Sequence, residues 1–101
     1  MNIDFGKGLF DLDGKAINDK DGNPANLKGV VIESLLATFK DEQGLAGIEK
    51  LKRWELAIKI KNEPGVCDIT VEEAALIKGL IGKAYGTLVV GQTWKMLEGK
   101  E

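Results

Sequence analysis

The chain has 101 residues, about one domain's length, with 44% hydrophobic and 30% charged residues, an ordinary globular balance able to build one core without disulfides or metal. A net charge of −2 argues against broad nucleic-acid binding, which needs a clearly basic face. With one cysteine, Cys67, and no histidine, the chain can form no disulfide within itself and lacks the commonest general base, metal ligand and pH switch.

In chain order, residues 1–7 read as a flexible N-terminal arm, and residues 8–101 as a single domain. The opening Met1-Asn2-Ile3-Asp4-Phe5-Gly6 has neither the basic nor the apolar region of a signal peptide. No run of about 18 apolar residues is present, so no membrane association is expected. Residues 8–26 are turn-rich. Asp13-Gly14 and Asp21-Gly22-Asn23-Pro24 are turn signals, because glycine and asparagine accept positive φ and aspartate bonds its neighbouring backbone. Lys15-Ala16-Ile17-Asn18 is a strand candidate that would pair with Pro24–Leu27 in a hairpin closed at residues 19–22. A hairpin alone is marginal and must lean on helices. No internal repeat and no low-complexity tract are read here.

Asn26 is the expected N-cap of a first helix whose stripe is Leu27, Val31, Leu35 and Phe39, at i+4 spacing. Val30, Val31 and Ile32 are β-branched, which leaves a strand start over 27–32 as the alternative. Residues 40–46 read as a polar connection. A second helix is expected over 47–62, with Ile48, Leu51, Trp54 and Ile58 on a broad apolar face widened by Leu56, Ala57 and Ile60. Lys50, Lys52, Arg53, Lys59 and Lys61 would line the remainder. Glu63-Pro64-Gly65 stops this helix.

Val66-Cys67-Asp68-Ile69 reads as extended. Thr70 with Glu73 three residues on is a capping box, which places a helix over 71–85 with its stripe at Ala74, Ile77, Ile81 and Ala84, widened by Leu80 and Tyr85. Gly86 ends it. Thr87 is the expected cap of a last helix over 88–98, with Val90, Trp94 and Leu97 inward. The fold class is therefore α+β: a small N-terminal β-hairpin packed on a mainly helical domain of about four helices.

No constellation carries chemistry. Aspartates 11, 13, 19 and 21 invite a calcium reading, but with Gly22 as the loop glycine an EF-hand would put Ile17 and Lys28 at ligand positions, so turn chemistry is the better account. Cys67 has no activating histidine and reads as a small buried or half-buried hydrophobe, its exposure left open. No phosphate-binding or dinucleotide motif occurs, so no catalytic residue, metal or cofactor is expected. Lys50, Arg53 and Lys61 form a weak basic face, better read as a solvated helix side than as a phosphate contact. Ala75 and Gly79 have helix-turn-helix spacing, with Gln92, Thr93 and Lys95 as the base-reading candidates, although the helix break falls at Gly86. Nucleic acid is accordingly a disfavoured partner. Trp54, Ile58, Trp94 and Leu97 are the candidate protein-interface residues, since tryptophan is enriched at binding hot spots.

Three segments in this order, Asp11-Leu12-Asp13-Gly14-Lys15-Ala16-Ile17, Trp54-Glu55-Leu56-Ala57-Ile58-Lys59-Ile60, and Thr70–Lys78 continuing through Val89-Val90-Gly91-Gln92-Thr93-Trp94, carry a resemblance. The chain resembles small proteins encoded by tailed bacteriophages and prophages, whose functions are largely unassigned. The resemblance spans most of residues 9–98 and rests on structural motifs, so it transfers no site residue. It implies a product of the host cytoplasm or the virion. The expectation is a non-enzymatic interaction protein in virion or tail morphogenesis, structural or chaperone-like, whose partner is itself or another phage or host protein. A factor that inhibits a host defence or transcription complex is the first alternative, and a DNA-binding regulator the second.

Overall fold

A computed structural model describes residues 1–98 of the chain; the last three residues of the expected domain, 99–101, lie outside them. The elements are β1 (Asn2–Asp4), α1 (Leu27–Leu36), a 3-10 turn (Lys40–Glu42), α2 (Gly47–Asn62), β2 (Val66–Asp68), α3 (Val71–Ala84) and α4 (Thr87–Leu97). The fold is α+β with four α-helices, as the sequence implies. In the helical layer α1 packs against both α2 and α3, and α3 against α4.

The start of the chain corrects the expectation of a flexible arm. β1 pairs antiparallel with β2 in the register Asn2↔Asp68, Ile3↔Cys67, Asp4↔Val66. Strand side chains alternate faces, so Ile3 and Cys67 point together into the core while their neighbours face out. Phe5 follows and is fully buried. The arm is ordered by distant segments: β2 pairs with residues 2–4, and the start of α1 bonds the carbonyls of Phe5 and Lys7.

The chain then returns to cap α1. A helix start leaves its first N–H groups without intrahelical acceptors. Here Lys7 O accepts from Leu27 N (2.9 Å), Phe5 O from Lys28 N (2.9 Å), and the Asn26 side chain from Gly29 N (2.8 Å). That satisfaction favours helix over strand at 27–32. The helix ends at Leu36, so Phe39 leaves the expected stripe and packs on the core from the connection.

Between β1 and α1 the turn-rich segment holds a short repeat, against the expectation of none. Asp11 Oδ1 accepts from Asp13 N (2.9 Å) and Lys15 N (2.9 Å), and Gly14 sits at φ 81°. Eight residues later, Asp19 Oδ1 accepts from Asp21 N (2.9 Å) and Asn23 N (3.0 Å), and Gly22 sits at φ 83°. Both turns bury no apolar group at the tip and need glycine at the same place. Leu9, Ile17 and Ala25 occupy equivalent positions of this octad. Leu9 N donates to Ala25 O (3.1 Å), Ala25 N to Ile17 O (2.7 Å), and Ile17 N to Leu9 O (3.0 Å), a closed ring of three extended segments. The expected hairpin is present as the Asn18↔Pro24 bridge, one side of this ring. The repeat is faint in the sequence because only Asp, Gly and an apolar position recur, at a period too short for a packed unit.

α3 opens with the capping box at Thr70 and Glu73, both of whose bonds are present. Gly86, not Thr87, occupies the N-cap of α4, and makes no side-chain cap. The core gathers Ile3, Phe5 and Leu9 from the N-terminal segment, Leu27, Val31 and Leu35 from α1, Leu56, Ala57 and Ile60 from α2, Ile77, Leu80 and Ile81 from α3, and Leu97 from α4. Two buried hydroxyls, Ser34 and Thr93, bond the carbonyls four residues earlier, Val30 O and Val89 O, each at 2.8 Å.

Candidate interaction surface

α2 buries one side only. A helix advances about 100° per residue, so Arg53, Leu56, Ala57 and Ile60 fall on one arc, and this is the arc turned to α1. Ile48, Leu51, Trp54 and Ile58 fall on the opposite arc and are exposed, Trp54 by 54% and Ile48 by 59%. The expected single broad apolar face is therefore two faces, one in the core and one in solvent. The i,i+3 and i,i+4 spacings 48–51, 51–54 and 54–58 make the outer one a continuous ridge. Beside Trp54, a cleft of ≈360 Å³ is walled by Leu36, which is itself 56% exposed, and by Phe39, Lys50 and Arg53.

Arg53 corrects its placement on the basic face. Its guanidinium is buried, and it clamps Glu42 in a two-point contact, Nη1–Oε1 2.8 Å and Nη2–Oε2 2.7 Å. Lys83 of α3 adds a bond to Glu42 Oε2 at 3.2 Å. The Arg53 hydrogen bond, opposed by burial and aided by Lys83, holds the Glu42 carboxyl down at about 2. Residues 40–46 are thus no plain polar connection: Glu42 ties α2 and α3 together. Lys50 and Lys61 do remain on the surface, flanking the apolar ridge about three turns apart, and neither ammonium has a partner among the described residues.

The C-terminal anchors also differ from expectation. Leu97 is buried in the core and is no contact residue. Trp94 is partly exposed, but its Nε1 donates to Lys78 O (3.1 Å), and Lys78 Nζ lies 4.9 Å from the ring centroid. It clamps α4 to α3. Thr93 takes the inward position expected of Trp94, its hydroxyl satisfied by Val89 O. Among the base-reading candidates, Thr93 is buried and Gln92 is occupied. The Gln92 amide accepts from Phe10 N (3.0 Å) and donates to Phe10 O (2.8 Å), standing in for a strand partner.

A second exposed apolar group lies at that junction. Leu12, at the tip of the Asp11–Gly14 turn, is 95% exposed. With Phe10 and Leu88 it borders a shallow cleft of ≈580 Å³ between the turn and α4. The surrounding turns carry the four aspartates 11, 13, 19 and 21, and the side chains of Asp13 and Asp21 are unpaired among the described residues. In the sequence Leu12 is one apolar residue inside a turn, with no periodic neighbour to mark it.

Among the described residues no cluster of three metal-ligating side chains occurs and no helix is long and apolar enough to cross a membrane. The α+β domain presents two exposed apolar patches, one lysine-rimmed on α2 and one beside the aspartates of the twin turns. Comparison with family models, curated proteins and solved structures gives no match for the chain.

Proposed function

We propose that this is a phage-encoded protein without chemistry of its own, acting by protein contact in virion or tail morphogenesis as a building block or assembly chaperone. The observation that carries the reading is the outer face of α2, where Ile48, Leu51, Trp54 and Ile58 stand in solvent opposite the face that forms the core. Large exposed apolar groups in contiguous array mark interaction sites, and tryptophan is the residue most enriched at their energetic centres. The phage origin draws on the resemblance of the three segments described above.

Light scattering after size exclusion tests the reading on the full chain. Self-association that rises with concentration and is lost in Trp54→Ser is the expected result. A wild-type monomer at every concentration overturns self-assembly through this face. The acidic turns favour a second reading, a factor that docks on a basic host protein, and binding to such a protein that vanishes with added salt would support it. The DNA-binding alternative gains no observation, because Arg53 is held by Glu42 and Gln92 by Phe10.

A further inference from the structure

The two patches are complementary. On α2 the apolar ridge is rimmed by Lys50, Lys52, Lys59 and Lys61 against two glutamates, with Lys50 and Lys61 unpaired among the described residues. On the twin turns, four aspartates stand against Lys15 and Lys20, Leu12 lies between Asp11 and Asp13, and the Asp13 and Asp21 carboxylates have no cation partner among the described residues. Self-pairing of the α2 face would oppose lysine to lysine, and self-pairing of the turns would oppose aspartate to aspartate. Like-charge juxtaposition of this kind disfavours a contact, and opposite charge favours it. The patches also lie at the two ends of the packing order. α2 is one end of the series α2–α1–α3–α4, and the turns are bonded to the other end through Gln92 and Phe10.

We propose that the Asp11–Gly14 turn of one copy, led by Leu12, docks on the Trp54 ridge of α2 in a second copy, so that the chain associates head to tail. This rests on the reading of α2 as a self-association face and names what occupies it. Leu12 enters beside Trp54 and Leu36, while aspartates 11, 13 and 21 face the lysine rim. An open chain of copies then leaves one ridge free at one end and one turn free at the other. Such heterologous contacts extend into a ring if the rotation closes and a filament if it does not.

The test uses two variants at exposed positions, Leu12→Ser and Trp54→Ser, studied by sedimentation velocity over a range of concentration. Circular dichroism confirms that each keeps its helices. The wild type is expected to grow past the dimer, and each variant alone to stay monomeric, at least tenfold weaker in association. An equimolar mixture is expected to form a one-to-one dimer and stop, because one variant keeps an intact ridge and the other an intact turn. Should Trp54→Ser lose structure, the double variant Lys50→Glu, Lys61→Glu disables the same face. A wild type that associates unchanged when Leu12 is replaced overturns the head-to-tail contact and leaves the α2 reading standing. A wild type that stops at the dimer, or a mixture that remains two monomers, overturns the head-to-tail contact as well. A wild type monomeric throughout overturns both.

Discussion

Glu42 and Arg53 show what one buried ion pair does in so small a domain. The carboxylate closes two bonds to the guanidinium and one to Lys83, joining the 3-10 turn, α2 and α3. Removing the carboxylate leaves the Arg53 guanidinium charged, buried and without its partner. Glu42→Gln is expected to destabilise the fold by about 3 kcal/mol, read as a lower urea midpoint at unchanged slope. The pH dependence has a definite sign. The folded carboxyl titrates at about 2 against an ordinary 4.5, so its contribution is complete above pH 4.5 and is lost as pH falls from there toward 2. The variant should lack that segment of the acid-unfolding curve. Nothing in the local sequence marks this pair: Glu42 stands in a polar run, Arg53 in a helix of alternating lysines, and neither periodicity nor capping links residues eleven apart across a turn.

At the scale of elements, the N-terminal segment is stabilised from a distance. Phe5 is fully buried and its carbonyl caps α1. Phe5→Ala is expected to cost about 3 kcal/mol, measured by urea unfolding, through lost burial and the cavity left behind. If residues 1–7 were a detached arm, the change would be silent. The octad repeat makes a paired prediction. Gly14 and Gly22 hold the same left-handed backbone in equivalent turns with open space around them. Gly14→Ala and Gly22→Ala should each cost about 1 kcal/mol, and by closely similar amounts, because backbone strain is the only difference introduced. Unequal losses would show that the two turns are not energetic equivalents. The helix starts were legible because capping is local: Asn26, and Thr70 with Glu73, act within three residues of themselves.

For the molecule as a whole, Cys67 reports cooperativity. It is buried in β2 against Ile3, and burial, the leading cause, raises its thiol above the usual value. Reaction with a thiol reagent then needs the β1–β2 pair to open. If that opening is global unfolding, labelling in native buffer should be slow, and Phe5→Ala should speed it by about a hundredfold, the factor set by its destabilisation. A rate indifferent to Phe5→Ala would mean that the strand pair opens by itself.

The sequence by itself determined the last three helices, the caps at Asn26 and Thr70, the turns at Gly14 and Gly22 and the α+β class, because each follows from interactions within a few residues or from apolar spacing along one element, while the choice of helix over strand at 27–32 and the burial of Cys67 stayed open. It also placed Trp54 and Ile58 on a helix face of unusual breadth. Only the tertiary structure decided which part of that breadth faces α1 and which faces solvent, since a helix apolar around most of its circumference carries no internal signal for its orientation. The same holds for the arm that becomes a strand, for Leu97 and Thr93 turning inward while Trp94 stays at the surface, and for Arg53 leaving the basic rim to meet Glu42. Each of these depends on which distant segment arrives alongside, and that is settled by the packing of the whole chain.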